Sequence, residues 1–108
     1  EIIDYLTNNT LNFDYFIAAD VFVYIGDLYE VFSLIKKRNK KSGDLVFSIE
    51  LTTADDYVLE KSGRYSHSTN YISSLCDEFG FAITNFKKLP IRKENKQNIP
   101  GALYSLRF

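Results

Sequence analysis

Two apolar runs, each interrupted or closed by a carboxylate, organise the pattern of hydrophobic and polar positions. From Phe13 to Tyr24 only Asp14 and Asp20 break the apolar character, which is the near-continuous pattern of a strand covered on both faces. Leu45 to Leu51 carries Val46, Phe47 and Ile49, residues that favour pleated and packed positions, with Glu50 near its end. Between the runs, Leu28, Val31, Phe32 and Ile35 recur at i, i+3, i+4 and i+7, predicting a helix with one apolar stripe. Asp27 is placed to cap it. Strand, helix and strand in that order predict a parallel βαβ unit. Asp20 and Glu50 would emerge at one edge of its sheet, where open α/β folds place their ligands.

The flanking segments extend this picture. Ile2, Ile3, Tyr5 and Leu6 predict a short amphipathic helix, ended by the turn-forming residues Asn8 to Asn12. Thr52 to His67 reads as a polar and aromatic loop, longer than the usual connection in a compact domain and for that reason functional. Ser68 or Thr69 caps a further helix whose stripe is Ile72, Leu75, Cys76 and Phe79, with Gly80 as its left-handed stop. Phe81 to Arg92 and Ala102 to Phe108 predict two strands joined by the polar stretch KENKQNIPG. A connection that short makes the pair antiparallel. Pro90 marks the first of them as an edge strand or a bulge.

Composition narrows the class. A chain of 108 residues predicts one domain, 1–108, with one small core. With 45% hydrophobic residues, 16% aromatic and a net charge of -1, it is neither disordered nor a generic polyanion binder. The basic groups at Lys36 to Lys41 and Lys87 to Lys96 do not change that balance, so no nucleic-acid partner is expected. The first group reads as a solvated helix end that complements the helix dipole. No apolar stretch approaches the roughly 20 residues of a membrane span, and no signal peptide is recognised; a cytoplasmic protein without membrane contact is the expectation. The single Cys76 has neither a second Cys nor more than one His to form a metal set, and its helical spacing predicts inert packing. Methionine is absent, which points to a piece of a longer polypeptide.

Four blocks in order, FDYFIAADVFVYIGDL, KKSGDLVFSIE, SGRYSHSTNYISSLCDEFGF and RKENKQNIPGALYSLRF, resemble the carboxyl-terminal half of class I S-adenosylmethionine-dependent methyltransferases. Within that family they resemble predicted methyltransferases found alongside tetratricopeptide repeats. The resemblance spans nearly the whole chain. It implies a truncated Rossmann-like α/β sheet with helices packed on it. Phe13 to Ala19 would be strand four, Leu45 to Leu51 strand five, Phe81 to Arg92 strand six and Ala102 to Phe108 strand seven. The order would be 4-5-7-6 with the last strand antiparallel, a partial domain lacking strands one to three. The family holds S-adenosylmethionine chiefly with a glycine-rich turn after strand one and an acid after strand two. Here the glycines stand at 26, 43, 63, 80 and 101, none spaced as G-x-G. The expectation is a methyltransferase fragment not active alone, with S-adenosylmethionine the cofactor of an intact parent.

The resemblance also implies roles. Ala19, Asp20, Val21 and Phe22 would line the methionine and methyl end of the cofactor pocket, Glu50 would lie near the acceptor, and Tyr57, Arg64 and Tyr65 would shape the acceptor side. His67, the one histidine, is the candidate base near neutral pH, and Glu50 the second catalytic candidate. Plainer readings stand beside these. Asp20 could satisfy backbone donors in a turn, Glu50 could pair with a neighbouring Lys or Arg, and His67 could be a solvated loop residue. Arg64 could tie down a loop rather than clamp an anionic acceptor. Strand four would pair with strand one, which is missing here. Phe13 to Ala19 is therefore expected to meet another chain as a homodimer, or the missing amino-terminal half. The competing class is a non-catalytic, self-associating remnant.

Overall fold

A computed structural model describes residues 15–18, 21–38 and 43–108. The helix expected at Ile2 to Leu6, and Ala19, Asp20, Lys40 and Lys41, lie outside the described residues. Tyr15–Ala18 forms β1, and Phe22–Tyr24 a single 3-10 turn. Tyr29–Arg38 is α1, and Asp44–Leu51 is β2. Two short strands follow, Tyr57–Leu59 as β3 and Tyr65–His67 as β4. Thr69–Phe79 is α2, and Ala82–Glu94 and Gln97–Arg107 are β5 and β6.

The sheet is built around β2. On one edge β1 runs parallel to it, from Tyr15 opposite Asp44 to Ala18 opposite Phe47. On the other edge β6 runs antiparallel, and β5 pairs antiparallel with β6 on its outer side. The order β1-β2-β6-β5 is therefore the expected 4-5-7-6, with the last strand reversed. Beyond the end of β1, the same edge of β2 is taken over by β4, in parallel, with Glu50 opposite Ser66 and Leu51 opposite His67.

Helix stripes meet the sheet on one face. Leu28, Val31, Phe32 and Ile35 of the α1 segment and Ile72, Leu75 and Cys76 of α2 are buried against Leu45, Phe47, Ile49, Ala102, Tyr104 and Leu106. Phe47 is the hub, with its ring centroid 4.9 Å from Phe22, 6.0 Å from Phe32 and 5.2 Å from Tyr104. Burying each such ring contributes about 1.5–3 kcal/mol. Local signals set the helix ends. Asp27 Oδ1 accepts the Tyr29 N–H at 3.0 Å. Ser68 caps α2 by accepting from Tyr71 N, and Gly80 ends it in the left-handed region at φ 73°. Burial lifts the Cys76 thiol to about 11, the state of an inert packed side chain.

Two expectations are corrected. The segment 52–67 is not a plain loop, because β3 and β4 pair within it as an antiparallel hairpin. Each strand has only three residues and the β3 side chains are largely exposed, so no alternation was available to read. The polar stretch KENKQNIPG is likewise mostly paired strand. β5 and β6 continue to a two-residue turn in which Asn95 and Lys96 both have positive φ, 50° and 65°, as a twisted hairpin requires. Those strand ends run beyond the core and are exposed, so their composition looks like a loop. Pro90 sits both on the edge strand and at a register shift.

Candidate functional site

β2 delivers Glu50 to its carboxyl end, where the β3–β4 hairpin and the outer strand β5 supply two guanidinium groups. Glu50 is 2% exposed. Its Oε2 accepts from Arg64 Nε at 2.5 Å and from Arg92 Nε at 2.9 Å, and its Oε1 accepts from Arg92 Nη2 at 3.3 Å. Burial raises the Glu50 carboxyl, but the hydrogen bonds and charges of Arg92 and Arg64 outweigh it and hold the group below its ordinary value. Arg64 comes from the β3–β4 hairpin and Arg92 from β5, so one carboxylate ties two hairpins to the central strand. Between these hairpins lies a cleft of about 390 Å³, lined among others by Glu50, Arg92, Leu59, Glu60, Lys61 and Glu94. Arg64 also donates through Nη1 to the Tyr24 hydroxyl at 3.1 Å, and its guanidinium lies 5.2 Å from the Tyr24 ring centre.

A second cluster holds the loop that follows the 3-10 turn. Gly26 is buried beneath Tyr57 and Tyr65, and a Cβ there would stand 2.6 to 2.7 Å from their rings. His67 places Nε2 at 2.9 Å from the Ile25 carbonyl and 3.1 Å from the Gly26 carbonyl. Carbonyl oxygens only accept, so Nε2 carries a proton, and in the neutral ring Nδ1 holds the lone pair. Burial lowers the His67 pKa from 6.5, and the bonds to Gly26 and Ile25 offset this only in part. The Tyr71 hydroxyl accepts the Leu28 N–H at 2.8 Å and donates to Asp27 Oδ1 at 3.2 Å. Burial lifts that phenol to about 12. Rings of Tyr57, Tyr65, His67 and Tyr71 pack on one another around the loop.

The residues singled out in the sequence are thus divided between two tasks. Glu50 and Arg64 meet in the ion network, where the plainer reading of Glu50 as a paired carboxylate describes its geometry. Tyr57, Tyr65 and His67 face the Gly26 loop. Phe22 is fully buried against Phe47, and Val21 is half-buried. Ala19 and Asp20 lie outside the described residues. Arg92, Tyr24 and Tyr71 were not singled out. Arg92 follows Pro90 in a polar segment, and only the fold of the long hairpin brings it across to Glu50. Among the described residues no group of His, Cys, Asp and Glu is placed to hold a metal ion. No described helix is long and apolar enough to cross a membrane.

No family model matches the chain, and no curated protein matches it. Solved structures do. A methyltransferase described as S-adenosylmethionine-dependent from Methanosarcina mazei superposes with a TM-score of 0.69 at 10% identity, over 94% of this chain and 63% of that one. The N-methyltransferase NodS from Bradyrhizobium japonicum, solved with S-adenosyl-L-homocysteine, gives 0.69 at 15% identity over 99% of this chain and 50% of its own. The 1,6-didemethyltoxoflavin-N1-methyltransferase of Burkholderia thailandensis gives 0.67 at 11%, over 93% and 45%. The chain spans less than two thirds of the length of each of these three. At such identities the likeness establishes architecture: this is the Rossmann-like α/β fold of S-adenosylmethionine-dependent methyltransferases.

Proposed function

We propose that the chain is the carboxyl-terminal, acceptor-bearing part of an S-adenosylmethionine-dependent methyltransferase, and that it needs the rest of the domain to hold the cofactor. The observation that supports this best is topological. Inserting a reversed strand, β6, between β2 and β5 after a parallel β1–β2 crossover reproduces the last four strands of the methyltransferase sheet. The resemblance of the four sequence blocks supports the further assignment to the group found alongside tetratricopeptide repeats.

The described residues do not fit the whole cofactor. Phe22 is committed to the core, Val21 offers no polar side chain, and the space above Gly26 is filled by two tyrosine rings. No G-x-G spacing occurs. What the chain does supply is one wall at the carboxyl edge: the Glu50 ion network, the cleft between the hairpins, and a loop held in place by His67 and Tyr71. Methyl transfer asks mainly for in-line placement of acceptor and methyl donor, and a rigid wall suits that demand. In this reading His67 is a positioning residue for the 25–28 loop.

Calorimetric titration of S-adenosylmethionine into this chain and into a form extended upstream tests the proposal. The extended form is expected to bind and the short chain to give no heat. Low-micromolar binding by the short chain overturns the claim of an incomplete site, and no binding by either overturns the methyltransferase reading.

A second reading, self-association through β1, rests on a contrast between the two outer strands. The β5 edge carries Lys87, Lys88, Pro90 and two register shifts, devices that keep edges from pairing. Among the described residues β1, with the sequence YFIA, has none, and Ile17 is 67% exposed. A strand of that composition suits a partner strand, from a second copy or from the upstream part of the domain.

A further inference from the structure

Tyr24 stands out among the exposed aromatic residues because so much buried structure is arranged behind it. Its side chain is 61% exposed, yet its hydroxyl and one ring face are both engaged by Arg64. Arg64 is fixed by Glu50, Glu50 is gripped at both oxygens by Arg92, and Arg92 donates in turn to Glu94 at 3.4 Å. The chain of contacts runs from the tip of the β5–β6 hairpin, across the end of the central strand, to the 3-10 turn after β1. A network of this kind is a weak source of stability, since removing the charges from water offsets most of their attraction. Its evident result is orientation. An exposed tyrosine is normally free to sample rotamers, whereas here one ring face is covered by a guanidinium and, among the described residues, no other ring packs on Tyr24.

We propose that the remaining face of Tyr24 is a stacking platform for a flat aromatic ring of the methyl acceptor, with Glu50, Arg64 and Arg92 as its positioning residues. That the ring belongs to an acceptor rests on the methyltransferase reading; that a flat ring binds at Tyr24 does not. Two features select flatness. Offset stacking adds to area burial only when both partners are planar. A ring already held in place gives up little conformational freedom on binding, which favours a rigid planar guest over a flexible chain.

The test uses a matched pair of neutral probes, 2-naphthol and decahydro-2-naphthol, which share a carbon frame and differ in planarity. Each is titrated into the full chain while the tyrosine ring signals are followed by NMR. 2-Naphthol is expected to move the Tyr24 ring signals and to bind more tightly than the puckered probe. Tyr24→Leu, at a surface position, should weaken 2-naphthol binding by about three- to tenfold. Arg92→Gln should broaden or shift the Tyr24 ring signals and weaken 2-naphthol, whereas Lys88→Gln, the same loss of charge on the same strand, should do neither. Equal binding of the two probes, unchanged binding in Tyr24→Leu, or identical behaviour of Arg92→Gln and Lys88→Gln overturns the proposal. 2-Naphthol binding at Tyr24 with no cofactor binding by the extended form would leave the platform standing and remove its link to methyl transfer. Cofactor binding with equal probe affinities would do the reverse.

Discussion

Gly26, Glu50 and His67 show how differently single positions report themselves. Gly26 sits under Tyr57 and Tyr65 so closely that a methyl group has no room. Gly26→Ala is expected to cost about 1–3 kcal/mol by overpacking, read as a lowered denaturation midpoint with shifted Tyr57 and Tyr65 ring signals. Glu50→Ala leaves two guanidinium groups facing one another without their anion, and should cost about 3–5 kcal/mol by chemical denaturation. His67 links stability to pH. Its folded pKa lies below 6.5, so between those values the unfolded chain binds more protons and stability falls as pH falls. Full stability is expected above about pH 6.5, with a decline beneath it that His67→Gln abolishes. A stability profile of the native chain that stays flat from pH 7.5 to 5 would contradict the buried neutral ring. In the sequence, Glu50 was legible as the acid closing an apolar run, and His67 as the lone histidine. Their partners were not, because Arg64, Arg92 and the Ile25 and Gly26 carbonyls lie 14 to 42 positions away along the chain.

At the scale of elements, the helices were legible and the short strands were not. α2 carries its whole description locally: a serine cap, a stripe at 3.6-residue spacing and a left-handed glycine stop. Gly80→Ala should destabilise by about 1 kcal/mol because φ is positive there, and hydrogen exchange in the last turn of α2 would report the loss. The hairpin β5–β6 offers the opposite change. Lys96 holds a left-handed conformation at φ 65°, so Lys96→Gly should raise stability by up to about 1 kcal/mol, measured as a higher melting temperature. β3 and the distal parts of β5 and β6 escaped a pattern-based reading because they bury little, and a strand announces itself through the alternation imposed by a covered face. β4 buries Ser66 and His67 but is only three residues long, too short for an alternation to show.

For the molecule as a whole, the arrangement of layers carries the functional argument. Both described helices share one buried cluster with the face of Leu45, Phe47 and Ile49. On the opposite face Ile17 and Leu103 are exposed at 67% and 41%. Phe47→Ala removes the ring on which Phe22, Phe32 and Tyr104 converge and should cost about 3–5 kcal/mol. The β1 edge predicts association: light scattering at micromolar concentration is expected to give a mass twice that of the chain, and Ile17→Lys to reduce it to the monomer. A stable monomer in the unsubstituted chain would remove the self-association reading while leaving upstream pairing to be met by the extended form.

By itself the sequence determined the βαβ core, the start of α1 and both ends of α2, and the reversed final pair, because each depends on periodicity, capping or connection length within one stretch of chain. Tertiary structure alone decided which carboxylate met which guanidinium, that β4 would continue the edge left by β1, and that Tyr57, Tyr65 and His67 would close on the Gly26 loop. Those outcomes depend on register between strands far apart along the chain, a quantity that no local pattern encodes.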